Sequence, residues 1–183
     1  MEKLNFAFKM CIFGDSGVGK SSLINRYITA KFDYDQKSTL GAAILMKFIE
    51  TETMKITLQI WDFAGEDKFS SLLPSYAKGS SAAIFMCDLS KRDSITNIDK
   101  WLLKFNEGSN IRNPKFPVLI VAGKLDLEEQ RSFNKKDIET YLTVMEEFDY
   151  LECSSKTGEN VDLLFQTIVD KMLIHGDIQP PTR

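Results

Sequence analysis

Short apolar runs alternate along this chain with longer stretches whose apolar residues recur every three or four positions. The first pattern suits buried strands and the second suits helices with one buried face. Residues 6–13 read as a strand, and residues 20–29 as a helix that opens directly after a glycine-rich loop. Residues 40–50 and 53–62 read as two strands joined by a tight polar turn, hence as an antiparallel hairpin. The chain then loops through Gly65 into a weakly helical stretch ending near Ala77. Residues 81–88 form a buried-strand run, and residues 92–106 carry Ile95, Ile98, Leu102 and Phe105 at helical spacing. A strand over 116–122, a helix over 135–145, a short strand over 150–153 and a helix over 160–174 follow. The last helix has Val161, Leu164, Phe165, Ile168 and Met172 as its buried stripe.

Strands alternating with helices imply a mostly parallel sheet covered on both faces, with the hairpin adding one antiparallel edge strand. In open sheets of this kind ligands sit at the C-terminal ends of the strands. The length, 183 residues, suits one domain with a real core. Residues 1–176 are expected to form it, with 177–183 as a short tail.

Composition narrows the partners. Acidic residues outnumber basic ones, 26 against 23, which argues against a dedicated nucleic-acid binder. Cys11, Cys87 and Cys153 stand in or beside apolar runs with no metal-site spacing, as expected of buried reduced thiols in a cytoplasmic protein. The single histidine, His175, reads as a surface residue. No apolar run is long enough to span a bilayer. The second residue is Glu2 rather than the glycine that myristoylation needs, and the chain shows no terminal cysteine box. Membrane contact is therefore expected only peripherally or through partners.

The strongest chemical signal is Gly14-Asp15-Ser16-Gly17-Val18-Gly19-Lys20-Ser21, a complete phosphate-binding P-loop. Its four constrained positions match by chance in roughly 1 chain in 150 of this length. It also follows a predicted strand and opens a predicted helix. Glycines let successive N–H groups point at phosphate oxygens, and the helix N-terminus adds its positive end. Lys20 supplies charge to the β- and γ-phosphates, and the Ser21 hydroxyl is an oxygen ligand for Mg²⁺. The fold expected is therefore that of a P-loop NTPase: three-layer α/β/α around a six-stranded sheet.

Four further stretches, in order, resemble the small GTPases of the Ras superfamily, closest to the Rab-like branch. Trp61-Asp62-Phe63-Ala64-Gly65 is similar to W-D-x-A-G, Thr39-Leu40-Gly41 to the switch I threonine segment, Gly123-Lys124-Leu125-Asp126 to N-K-x-D, and Cys153-Ser154-Ser155-Lys156 to T-S-A-K. The resemblance runs from about Phe8 to about Met172. It implies a slow GTP hydrolase acting as a molecular switch, with GTP or GDP and Mg²⁺ bound. The implied nucleotide contacts are Asp15, Ser16, Gly17, Val18, Gly19, Lys20, Ser21 and Ser22 in the P-loop, Phe32 and Thr39 in switch I, and Gly65. Lys124, Asp126, Leu127, Ser154, Ser155 and Lys156 are implied around the base. The implied metal contacts are Ser21, Thr39 and, through water, Asp62. Glu66, Lys20, Gly65 and Thr39 are implied in catalysis. Exchange factor, activating protein and effectors are expected at the switch regions. The Asp126 carboxylate can accept from the N1–H and the exocyclic amine of guanine, a donor pair that adenine lacks.

Two departures from the pattern stand out. Gly123 replaces the asparagine that ties the base loop to the P-loop, which removes hydrogen bonds worth about 1 kcal/mol each. Guanine preference is expected to survive with weaker binding or faster release. Glu66 replaces the glutamine that orients the attacking water: a carboxylate accepts from water but cannot donate to the developing charge. A binding-only guanine-nucleotide module is the alternative this raises. Arg26, on the first helix, is expected to face away from the phosphates, so no arginine acts in cis and an external activating protein is implied. Gly41-Ala42-Ala43-Ile44 departs from the Rab-like I-G-V-D-F, so effector identity does not transfer. Leu72, Leu73 and Tyr76 fit either an exposed apolar patch or packing against the sheet. A small-molecule kinase would need a lid with several arginines, where only Arg112 and Arg131 stand in the later loops.

Overall fold

The computed structural model describes residues 3–109, 111, 116–145 and 148–181; Arg112 lies outside the described residues. Its strands are β1 (Leu4–Phe13), β2 (Ala42–Glu50), β3 (Met54–Phe63), β4 (Ala82–Asp88), β5 (Val118–Gly123) and β6 (Asp149–Glu152). They form one six-stranded sheet in the order β2-β3-β1-β4-β5-β6. β2 pairs antiparallel with β3 and forms one edge, and the other pairings are parallel. The helices are α1 (Lys20–Thr29), α2 (Leu73–Ala77), α3 (Asp93–Thr96), α4 (Ile98–Asn106), α5 (Lys135–Glu139) and α6 (Val161–His175). The expected three-layer α/β/α architecture is the one observed.

Side-chain alternation divides the core in two. Met10 and Ile12 of β1 and Ile84 of β4 face Leu23 and Ile24 of α1 and Leu164, Phe165 and Ile168 of α6. Cys11, Phe13 and Phe85 face the opposite way, onto Leu73 of α2 and Trp101 and Phe105 of α4. Every residue of β4 is buried, because it lies mid-sheet with helices over both faces. Cys11, Cys87 and Cys153 are buried free thiols, and burial pushes the Cys153 thiol up to about 12. No helix among the described residues is long and apolar enough to cross a membrane.

Three elements differ from the periodicity. The stretch over 92–106 is two helices, α3 and α4, broken at Asn97, whose side-chain Nδ2 donates to Asp15 Oδ2 at 3.2 Å. The helix over 135–145 stops at Glu139. Asp99 of α4 takes the Thr143 N–H at 2.9 Å and the Val144 N–H at 3.4 Å, donors a longer helix would need internally. β2 begins at Ala42 rather than at residue 40. There the Ala64 N–H donates to the Gly41 carbonyl at 2.9 Å, while Thr39 is drawn away to α1 and β3.

Beyond α6 the chain stays attached: the Ile178 N–H donates to Leu173 O at 2.9 Å, and Ile178 packs on the core. His175 is exposed, as expected, its ring edge-on to Phe116.

Candidate functional site

The P-loop joins the end of β1 to the start of α1. Gly19 caps α1 at φ 105°, a left-handed conformation that favours glycine. Lys20 follows as the first helical residue and is buried, its Nζ donating to Gly14 O and Asp15 O at 2.8 Å each. Burial lowers its pKa from 10.5 to about 8, against the pull of Asp62 and Asp15.

Around Lys20 lies an open cavity of about 370 Å³. Ser16, Gly17, Gly19, Ser21 and Ser22 line its P-loop side, Phe32 and Thr39 the side before β2, and Gly65 and Glu66 the segment after β3. An adjoining cavity of about 120 Å³ is lined by Val18, Met86, Asp126, Ser155 and Lys156, with Gly19, Ser22, Phe32 and Lys124 shared. Ser154 lies behind this second cavity, fully buried, and its Oγ donates to Asp126 Oδ1 at 2.6 Å. The predicted residues therefore converge from five loops, at the C-terminal ends of β1, β3, β5 and β6 and before β2.

Two predicted contacts stand elsewhere. Asp15 turns its carboxylate away from the cavity, accepting from Asn97 Nδ2 and, at 2.8 Å, from Trp101 Nε1. It buttresses the P-loop against α4, while its backbone carbonyl accepts from Lys20 Nζ. Leu127 lines neither cavity, and its N–H closes a local turn onto Lys124 O at 2.9 Å.

A tight oxygen cluster lies beside Lys20. Ser21 Oγ donates to Asp62 Oδ2 at 2.5 Å, Thr39 Oγ1 donates to the same oxygen at 3.1 Å, and the two hydroxyls are 2.8 Å apart. Asp62 Oδ1 is buried with no hydrogen-bond partner among the described residues. Burial raises the Asp62 pKa, opposed by the Ser21 hydrogen bond, by Lys20 and by Thr39. A desolvated carboxylate beside two hydroxyls is a hard-oxygen donor set short of positive charge, and it fits a small divalent cation.

Gly65 lies directly against the P-loop. A Cβ there would come within 2.3 Å of Asp15 C and 2.4 Å of Ser16 N, both backbone atoms. Glu66 lines the cavity, but its Oε2 is 2.7 Å from Lys68 Nζ. Leu73 is buried and Tyr76 packs on Trp61 and Phe63, whereas Leu72 is exposed, so the apolar trio divides between both expectations. Arg131 is held by Glu128 and Glu152 and takes no part in a lid.

A sequence model of the Ras family matches residues 9–174. The chain belongs to the Ras family. It is similar to Ras-related protein Rab-7a of Dictyostelium discoideum, 35% identical over 91% of this chain and 82% of the relative. Ras-related protein Rab-9B of Homo sapiens is 33% identical over 94% of this chain and 86% of that protein. The Ypt/Rab-type GTPase ypt7 of Schizosaccharomyces pombe is 33% identical over 96% and 86%. As a Rab-like Ras-family member, the chain is a small GTPase: a switch that binds GTP and GDP, hydrolyses GTP, and works through regulators and effectors.

Three supporting residues of this Ras-family site escaped the motif reading. Asp88, fully buried at the end of β4, holds the Lys124 ammonium at 2.6 Å, so that the Lys124 stem lines both cavities. Arg26 faces away from the phosphate side, as expected, but it donates to Thr157 O at 2.9 Å and braces the loop of Ser154 and Ser155. Met86 lines the smaller cavity from mid-sheet. A charged residue closing a buried run marks Asp88 in the sequence; no local pattern marks the other two.

Proposed function

We propose that the P-loop, Thr39, Asp62 and Gly65 form the phosphate and Mg²⁺ half of a GTP switch, with Asp126 and Ser155 reading guanine. The observation that carries this reading is the Thr39 hydroxyl touching both Ser21 and Asp62. The loop that enters the sheet after Gly41 is thereby fastened to the nucleotide loop through the oxygen cluster. Ser21 and Thr39 would hold Mg²⁺, with Asp62 acting through water. When bound, the metal neutralises charge on the β- and γ-phosphate oxygens.

Each residue then has one task. Lys20 exchanges its two carbonyl partners for phosphate oxygens. Gly65 presents its N–H where the γ-phosphate ends, and loss of that phosphate releases both it and Thr39, relaxing the two loops. Residues 32–41 and 64–77 would carry the exchange factor, activating protein and effectors. Residues 1–176 would form the switch domain, working in the cytoplasm.

Gly65→Ala is expected to force residues 64–66 off the P-loop backbone. Single-turnover hydrolysis should fall at least roughly tenfold, with GDP affinity within about threefold of wild type. An unchanged hydrolysis rate would remove Gly65 from the mechanism.

The Lys68 partner of Glu66 favours the second reading, a binding-only module, because the ion pair competes for the carboxylate that would have to accept from an attacking water. Single-turnover phosphate release from bound GTP separates the two readings. We expect slow but measurable release, and Glu66→Gln is expected to accelerate it roughly tenfold. An amide both accepts from water and donates to the γ-phosphate, and it adds no charge repulsion. Release no faster than without protein would leave the binding-only module standing.

A further inference from the structure

We propose that Met86 is a positioning residue for the guanine base, its thioether filling by packing the place where Gly123 lacks a polar tie. The proposal rests on the guanine site described above and adds to it a residue outside every motif.

Met86 is buried in β4, paired with Val121 of β5, and its side chain lies on the α1 side of the sheet. Its methyl, Cε, stands 2.5 Å from where a Cβ on Gly123 would be and 3.5 Å from where one on Gly19 would be. The methyl therefore sits between the cap of α1 and the end of β5, the two backbones that must stay in register for phosphate and base to be gripped together. The Val18 carbonyl oxygen, a P-loop acceptor, lies 3.4 Å from that same Gly123 position. Met86 also forms part of the wall of the base cavity, beside Lys124 and Asp126. Any side chain at 123 overlaps the methyl, so residues 86 and 123 share one volume.

Two consequences follow. An unbranched, polarisable thioether fills this gap by dispersion alone, which holds two loops together less directionally than an amide hydrogen bond. The base loop is thus free to part from the P-loop more readily. Further, Cε is the end of a flexible side chain, so a residue at 123 displaces it rather than the backbone. Among its surroundings the free volume is the base cavity that Met86 lines. Gly123→Asn alone therefore drives the methyl into the place of the base and does not supply the missing tie. Restoring asparagine by itself therefore does not tighten the site.

The test is the release rate of a fluorescent GDP from the Mg²⁺-loaded chain, compared among wild type, Gly123→Asn, Met86→Val and the double variant. Gly123→Asn alone is expected to release GDP at least threefold faster than wild type, and Met86→Val alone likewise, because a gap opens. The double variant is expected to release it at least threefold more slowly than wild type, so the effect of asparagine reverses sign with residue 86. Met86→Leu keeps the volume of the core but carries a branched tip, and it is expected to keep the ligand-free melting midpoint while speeding release. A merely structural Met86 would move midpoint and release together. Additive effects in a chain that binds GDP, or a Gly123→Asn variant that slows release by itself, would overturn the role of Met86 alone. A wild-type chain that binds no guanine nucleotide would overturn the guanine reading, and this proposal with it.

Discussion

Replacing Lys20 by methionine is expected to abolish useful nucleotide binding without lowering the melting midpoint of the ligand-free protein. The two outcomes diverge because the ammonium is badly placed when no phosphate is bound. It is buried against two carbonyl oxygens, and burial lowers its pKa from 10.5 to about 8. Between those two values the unfolded chain binds this proton more tightly than the folded one, so the contribution of Lys20 to stability improves as pH rises through that window. Below it the folded state carries the full penalty, which methionine of similar length removes. Nucleotide affinity runs the other way. Removing one partner of a buried charge pair costs about 2–5 kcal/mol, or roughly 30- to 5,000-fold, and a nucleotide bearing several negative charges should reach the upper end.

The same group sets a pH dependence in the wild-type chain. Phosphates raise the Lys20 pKa on binding, so above its free value of about 8 each nucleotide must bring in a proton. GDP affinity is expected to change little from pH 7 to 7.5, where the terminal phosphate is already mostly ionised, and to weaken by up to about tenfold per pH unit beyond 8. Calorimetric titration across pH 7–9.5 measures this; equal affinity at both ends would remove Lys20 from the phosphate site.

Asp126→Asn is expected to exchange guanine for xanthine. The carboxylate can only accept, which suits the N1–H and exocyclic amine of guanine. An amide at the same place accepts once and donates once, which suits N1–H beside the carbonyl that xanthine carries there. Two hydrogen bonds to a charged acceptor contribute about 1.5–3 kcal/mol each, so GDP affinity should drop roughly 10²- to 10⁴-fold while xanthosine diphosphate gains. The Ser154 hydroxyl, donating to Asp126 Oδ1 from a fully buried position, fixes which edge of the carboxylate is free. Competition of the two diphosphates for the variant decides the matter, and an unchanged preference for guanine would show that another group reads the base.

The chemistry of this site was legible because each contact type is local. A P-loop needs its glycines, Lys20 and Ser21 within the short stretch from Gly14 to Ser21, and the carboxylate proposed to read guanine needs only the loop after a strand. Both can be read along the chain. The helix boundaries at Asn97 and Glu139 could not, since Asp15 and Asp99 lie far away in sequence and take the side-chain and backbone donors that decide them. Periodicity records which face is buried. It does not record who captures the donors at an element's end.

The sequence by itself determined the layer order and singled out the Gly14–Ser21 loop and Asp126, which the fold brings to two adjoining cavities, because these follow from backbone periodicity and from motifs a few residues long. Only the tertiary structure decided that Asp15 braces α4, that Arg26 braces the base loop, and that Met86 occupies the space Gly123 leaves open. The first two are hydrogen bonds and the third is packing, all between residues tens of positions apart. Hydrogen bonds, dispersion and sterics act through distance in space, and no spacing along the chain encodes it.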